Sequence, residues 1–366
     1  MLRRTKCTVA GIAAAALTLA TVGTAVAAND DPLKVAQSYQ AAPTKIPQKV
    51  PLKAKPPTGI NLVYFNQGTP SQTATGQAIK DQMPALGWTY SEVIWQASNA
   101  ASVESAINAA LARDADVIIA PSLVPELLSN STKQTLLAAK VPVIVGQICP
   151  TTPLQPPLFP GAGMCANEVP VARALANWFV ADSNGKGKMV LESMPQFAIF
   201  VKFREELLKE VARICTACEV EVQEVTFAQY SSNQIPAILV NKLRANPDFT
   251  YLFFDYGQWS RGILSALDSA NLLSTTKVGG RTVDAGTLQA LKDGQEVAWT
   301  ASGFSNVGLG HLDAALRVIT KSSGISLDAA YPLQLLTNVN AKTAPDPYLM
   351  VPADSVAQYH KLWKIS

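Results

Sequence analysis

The chain has 366 residues, 48% of them hydrophobic and 16% charged, with 30 basic and 27 acidic side chains. That length exceeds what one core usually fills and points to two lobes. So small a charge imbalance supplies no long-range field for DNA, RNA or anionic lipid, and nucleic acid is not an expected partner.

Arg3, Arg4 and Lys6 precede an apolar and small-residue run from Val9 to Ala28, which ends in Ala25, Val26, Ala27 and Ala28. This is the pattern of a cleavable export signal, so residues 1–27 are expected to be removed and the mature chain to work in a periplasmic or extracytoplasmic space. Cleavage leaves 27 basic and 27 acidic side chains. Cys7 lies ahead of the apolar run and is not placed to become a lipidated N-terminus. The remaining Cys149, Cys165, Cys215 and Cys218 should pair in an oxidising compartment. Local bridges, Cys149 to Cys165 and Cys215 to Cys218, are the simplest arrangement, with other pairings open. Cys215 and Cys218 follow an amphipathic stretch, whereas a redox pair is favoured at a helix start, so they read as a staple. His311 and His360 lack metal-ligand spacing to the cysteines, and no metal or other cofactor is expected.

Residues 28–58 repeat Pro and Lys without a packing period and read as an extended leader or surface strap. From Gly59 the pattern changes. A strand at Ile60 to Phe65 is followed by a helix from about Ser71 that fails near Pro84, and Gly87 closes its last turn. Strands at Tyr90 to Trp95, Asp116 to Ala120 and Val141 to Val145 alternate with helices at Ala101 to Arg113 and Pro125 to Ala139. Short apolar strands separated by helices are the mark of a parallel sheet covered on both faces. Five prolines between Gly146 and Val169 interrupt the rhythm with a loop whose base lies between Cys149 and Cys165.

The alternation then resumes. Helices are expected at Val169 to Ala181, Phe197 to Ile214, Asn233 to Arg244, Gly257 to Ala270 and Ala285 to Leu291. Strands are expected at Met189 to Glu192, Glu219 to Phe227, Tyr251 to Phe254, Thr276 to Gly279 and Val297 to Ala301. A helix at Asn306 to Ile319, an apolar stretch at Leu333 to Leu336 and a terminal segment with Tyr348, Tyr359 and Trp363 complete the chain. The expected division is 59–165 plus 303–335 for an N-terminal lobe, and 166–302 plus 336–366 for a C-terminal lobe with a terminal extension.

The opening unit Ile60 to Gly87, the stretches Asp114 to Ser122 and Ala139 to Val145, the segment Asp255 to Leu267 with its Gly262, and Gly279 followed by Leu288 to Ala298 carry a resemblance. In their order and spacing they resemble the type I periplasmic binding proteins, specifically the ribose-binding-like receptors of sugar ABC importers, over about 59–340. The resemblance implies an α/β fold of two Rossmann-like lobes with parallel sheets, joined by a three-crossover hinge. It also implies a cleft at the carboxyl ends of the strands, closure over a small-molecule solute, and a monomeric receptor that delivers the solute to an ABC transporter permease. Energy for transport would come from the partner, since no nucleotide-binding motif is present.

Carried over residue by residue, the family pattern places ligand contacts at Asn66 and Gln67 after the first strand. Its paired charges after the fourth strand fall near Gly146 and Gln147, and its second-lobe arginine near Phe200. Its later asparagine, aspartate and glutamine fall at Tyr256, near Thr282, and near Gly303 or Phe304. Together with Phe197 and Arg281 these are the expected ligand-binding residues. Exchanging charges for Gln147, Phe200, Tyr256 and Thr282 removes partners that ring hydroxyls need, because a buried hydroxyl without one is costly. The expected solute is therefore sugar-like, or less polar and aromatic or lactone-like. Arg281 is either a solvated surface residue or, if it faces the cleft, a two-pronged donor to a carboxylate or carbonyl. Trp88, Trp178 and Trp259 read as packing anchors, and Trp95 and Trp299, at strand ends, as secondary candidates.

An exported hydrolase would need a Gly-x-Ser-x-Gly elbow and a histidine base, and neither is present in a suitable place. The residual enzyme reading is a carboxylate pair such as Glu192 with Asp255. A further alternative keeps the fold but makes the chain a ligand-sensing subunit that signals through a membrane partner.

Overall fold

A computed structural model describes residues 30–97, 99–150, 154–160, 165–324 and 331–365. The expected signal segment 1–27, with Cys7, lies outside the described residues. The strands are β1 (Asn61–Asn66), β2 (Thr89–Ile94), β3 (Val117–Pro121), β4 (Val143–Gly146), β5 (Lys188–Ser193), β6 (Glu219–Glu224), β7 (Tyr251–Phe254), β8 (Lys277–Gly280), β9 (Ala298–Ala301) and β10 (Gln334–Thr337).

They form two sheets. The first runs β2-β1-β3-β4 and is parallel throughout. The second runs β10-β9-β8-β7-β5-β6, parallel except for the antiparallel pair β10–β9. Strands β3, β4 and β7 are buried along their whole length and read as unbroken apolar runs because helices cover both faces. The edge strand β6 instead carries Glu219, Glu221 and Glu224, which discourages pairing with another chain. Each sheet has a separate apolar cluster on either face, so the chain builds two α/β lobes rather than one thick core.

Local chemistry sets the element ends. Thr69 caps the helix Pro70–Lys80 by accepting from Gln72 N, with proline in the first turn. Gly87, at φ 65°, closes the helix Met83–Leu86 and turns the chain into β2. The helix Phe304–Ile319 returns from β9 to the first lobe and packs on Pro70–Lys80. A Cβ at Gly308 would lie 2.4 Å from Thr75 O, so this close crossing requires glycine. The disulfides are Cys149–Cys165 and Cys215–Cys218.

The chain passes between the lobes after β4, after β9 and before β10, and both of its flanking segments add a further passage. The leader is not merely extended. Asp31 caps a helix, Pro32–Ser38, which buries Ala36 against Glu168–Asp182 of the second lobe. Tyr39 O then accepts from Leu335 N, and Gln40 O from the side-chain amides of Gln334 and Asn340. From there the leader reaches the first lobe, burying Ile46 and Leu52, with Leu52 N donating to Leu362 O. The terminal segment also departs from the expected division. The helix Ser355–Trp363 packs in the first lobe, where Tyr359 and Trp363 join the core and Trp363 Nε1 donates to Asp313 Oδ1. Conversely, all of β10 belongs to the second sheet, although residues up to 335 were expected with the first. As consecutive residues of a pleated strand, Leu335 and Leu336 enter second-lobe clusters on opposite faces.

Candidate ligand cleft

The carboxyl ends of β1, β3, β4, β7 and β8 lead into residues that border one cavity of about 340 Å³ between the lobes. Its two sides differ in chemistry. The second lobe supplies a floor of rings. Phe200 stacks on Tyr256 at 5.8 Å and meets Trp259 edge-on at 6.3 Å, Tyr256 and Trp259 lie 5.2 Å apart, and Phe197 packs on Phe200 at 5.5 Å. Edge-to-face and offset contacts of this kind hold rings in fixed orientation before anything binds.

The first lobe supplies an amide wall. The Tyr64 hydroxyl donates to Gln72 Oε1 at 2.7 Å, and Gln72 Nε2 donates to Gln147 Oε1 at 2.9 Å. That chain fixes Gln147, leaving its own amide N–H groups as the terminal donors. Gln147 also sits at φ 55°, and Ser122, another bordering residue, at φ 67°. Left-handed backbone at non-glycine positions costs on the order of 1 kcal/mol and persists where neighbours over-determine it. Ser71 of the first lobe and Tyr256 of the second both border the cleft.

Arg281 neither projects into solvent nor offers a free fork. It is buried, and its Nε and Nη2 donate to Glu168 Oε2 and Oε1 at 2.6 and 2.7 Å. Burial opposes its charge, but the Glu168 carboxylate outweighs burial and keeps it protonated. The guanidinium also lies 5.3 Å over the Phe200 ring, so it buttresses the aromatic floor. Behind that floor, Glu192 and Asp255 meet at the ends of β5 and β7. Asp255 N donates to Glu192 Oε2 at 3.3 Å, and Asp255 Oδ2 accepts from Met194 N at 2.7 Å. Burial pushes both carboxyls up, Asp255 to about 7. Neither borders the cavity, so the carboxylate pair of the hydrolase alternative does not open onto the cleft.

Of the residues singled out from sequence, Gln67, Gln147, Phe197, Phe200, Tyr256 and Arg281 border the cavity. Asn66, Thr282 and Phe304 do not. Asn66 turns inward, donating to Glu92 Oε2 and accepting from Gly68 N. Thr282, at φ 61°, accepts from Gly257 N through its carbonyl and donates its own N–H to Thr300 Oγ1. Phe304 opens the returning helix, and its carbonyl accepts from Thr75 Oγ1. Trp299 is wholly buried and donates to Glu296.

Trp259, read from sequence as a packing anchor, borders the cavity, as do Gln72 and Phe227. A signal for Trp259 was available. It stands three residues after Tyr256 across the turn Gly257–Ser260, a 3₁₀ segment in which residues three apart eclipse. Both histidines are used elsewhere: His311 is buried in Phe304–Ile319, and His360 Nε2 bonds with Gln82 Oε1 at 2.8 Å.

Among the described residues, no cluster of His, Cys, Asp or Glu could hold a metal ion, and no helix is long and apolar enough to cross a membrane. A sequence search of curated proteins finds no match. Solved structures match closely in shape. An ABC transporter solute-binding protein from Burkholderia graminis, in complex with D-arabinose, aligns with a TM-score of 0.67 at 15% identity, covering 81% of this chain and all of its own. A 5-methylthioribose transporter solute-binding protein from Thermotoga lettingae, with 5-methylthioribose bound, aligns at 0.67 and 14% identity, covering 86% and 95%. A protein from Mycobacterium smegmatis in complex with β-D-fucofuranose aligns at 0.66 and 16% identity, covering 82% and 98%. The periplasmic binding protein domain family matches residues 60–322, and with two parallel-sheet lobes meeting at a shared cleft the chain belongs to that family.

Proposed function

We propose that the mature protein is a monomeric, extracytoplasmic solute receptor of an ABC importer. It captures a small sugar-like, or less polar aromatic or lactone-like, neutral solute by lobe closure and delivers it to a permease. The observation that carries this reading is the two-sided cleft: an aromatic floor on one lobe, an amide wall on the other, and no unpaired charge between them, since Arg281 is neutralised by Glu168. A flat ring can lie on the floor while its oxygens meet the wall, so binding free energy goes into holding the lobes together. The cavity, at about 340 Å³, suits a solute the size of a single ring sugar. The sugars bound by the structural relatives support that size class, whereas this cleft's scarcity of charge favours fewer hydroxyls.

The test is a thermal-shift screen of the mature chain against pentoses, hexoses, polyols, aromatic acids and lactones, followed by calorimetry on whatever saturates. Tyr256→Ala removes a ring from the floor and should weaken binding by at least about tenfold. A solute that binds tightly and is indifferent to Tyr256→Ala and Phe200→Ala places the site elsewhere.

A further inference from the structure

A glutamine side chain ends in a planar amide whose oxygen accepts and whose nitrogen donates, and burying it without partners is costly. Four of the described glutamines are buried, and three of them have both ends of the amide engaged. Gln72 accepts from Tyr64 and donates to Gln147, Gln82 bonds with His360 Nε2 and donates to Ala78 O, and Gln334 accepts from Tyr348 and donates to Gln40 O. Gln258 is the exception. It is 7% exposed, yet its amide makes no hydrogen bond among the described residues. Neither amide atom is sealed from the surface, and the residue borders the cleft cavity. The backbone around it is held from both sides. Gly257 N donates to Thr282 O at 3.1 Å, Trp259 N to Tyr256 O at 2.9 Å and Ser260 Oγ to Gly257 O at 2.8 Å. A Cβ at Gly257 would stand 2.6 Å from Thr282 O, so this close approach requires glycine. The fold therefore fixes Gln258 in the turn between Tyr256 and Trp259, two rings of the cleft floor, and leaves its amide unpaired.

We propose that Gln258 is a specificity-determining residue of the cleft, whose amide reads a donor and an acceptor on neighbouring atoms of an uncharged ring. The inference deepens the cleft reading above and rests on it. Among the described residues that border the cavity only Arg281 is charged, and Glu168 neutralises it, so an ionic solute would be buried without a counter-charge. A ring with acceptors alone, such as a lactone, would pair the Gln258 nitrogen but strand its oxygen once the lobes close. A ring edge that carries both satisfies the amide completely. Vicinal hydroxyls and the O=C–N–H edge of a cyclic amide are the two sources of that chemistry. On the opposite lobe, Gln147 has N–H groups to give beyond its bond with Gln72, and the Gln67 amide is without a partner among the described residues. One solute can thus be held by amides of both lobes, which ties recognition to closure.

The test uses the exported chain, residues 28–366, and calorimetry with probes at up to about 10 mM, where millimolar binding would show. D-arabinose and myo-inositol carry vicinal hydroxyls, uracil carries the cyclic amide edge, δ-valerolactone carries acceptors alone, and D-galacturonate carries a charge. Gln258→Met keeps the length of the side chain and removes the amide. The parent should bind a vicinal-hydroxyl probe or uracil saturably, and the lactone and galacturonate at least about tenfold more weakly. Which of the two kinds binds identifies the source. Gln258→Met should weaken the preferred probe by about tenfold or more, so that its preference over the lactone collapses, an outcome that general damage to the fold would not give. Without solute the variant should melt no lower than the parent, because a bare buried amide has been replaced by apolar surface. The proposal is overturned if D-arabinose, myo-inositol and uracil all fail to saturate, if the lactone or galacturonate binds as tightly as the best of them, or if the preferred probe binds the variant like the parent. It is equally overturned if the unliganded variant melts several degrees lower, since the amide would then be supporting the fold. Tyr256→Ala separates the two levels of the argument. A preferred probe that is lost in Tyr256→Ala but indifferent to Gln258→Met removes Gln258 from recognition and leaves the cleft standing. Indifference to both changes removes the cleft as well.

Discussion

Glu192 and Asp255 put two carboxyl groups side by side where water does not reach, at the ends of β5 and β7. Burial holds both above their ordinary values, 4.5 and 3.8, with Asp255 at about 7. The folded chain therefore keeps protons that the unfolded chain releases, and the stabilisation they carry is full below about pH 4 and lost as pH rises through the folded values. Glu192→Gln keeps a donor for its neighbour but cannot titrate. The melting temperature of the parent should fall more steeply than that of the variant between about pH 4.5 and 8, and parallel curves would disprove the upward shift of the buried pair. His311 acts in the opposite sense. Burial lowers it from 6.5 to about 4, so its contribution is full above pH 6.5 and lost as pH falls towards 4. The same histidine explains Gly146, where a Cβ would stand 1.9 Å from His311 Nε2. Gly146→Ala should cost about 1–3 kcal/mol in chemical denaturation, through overpacking at the end of β4. Residues such as Gln147 and Tyr256 were legible in the sequence because they stand just past apolar strands. Asn66 and Arg281 occupy equivalent places, but their side chains are claimed by Glu92 and Glu168, carboxylates distant in sequence that no local pattern reveals.

At the scale of elements, the sheet strands announced themselves because burial on both faces forces unbroken runs such as Tyr251–Phe254. The flanking helices did not. Pro32–Ser38 is seven residues long and buries Ala36 alone, too little to show a helical period, and its support comes from docking against Glu168–Asp182. Ser355–Trp363 buries Ser355, Tyr359 and Trp363, a spacing of four that is a genuine helical stripe, but one whose destination in the first lobe is fixed only by the tertiary fold. Trp363 is wholly buried there, and its N–H reaches the Asp313 carboxylate that also holds Arg317. Trp363→Ala should therefore destabilise the chain by about 3–5 kcal/mol, the range for losing a large buried ring, with the loss read from urea unfolding. A change of less than about 1 kcal/mol would mean that the terminal helix is an appendage rather than part of the first lobe's core.

For the molecule as a whole, closure depends on how many segments join the lobes and where they cross. The leader spans them: Pro32–Ser38 is docked on the second lobe, Tyr39 and Gln40 bond to β10 and Asn340, and Ile46 and Leu52 are buried in the first lobe. Such a strap limits how far the lobes can swing apart, because opening beyond its reach must strip either the helix from its seat or Leu52 from its core. It thereby raises the share of molecules already close to the closed arrangement, which reduces the free energy a solute must supply on binding. Deleting residues 28–45 should leave the two sheets folded, since the deletion removes no strand and, from the core clusters, only Ala36 and the partly buried Tyr39 packed beside it. The scattering radius of gyration without added solute should rise, and affinity should weaken severalfold through a slower, less favourable closing step while the solute preference order stays the same. An unchanged radius with unchanged affinity would show that the crossings after β4, after β9 and before β10 already set the opening on their own. A changed preference order would show that the leader contributes to recognition itself.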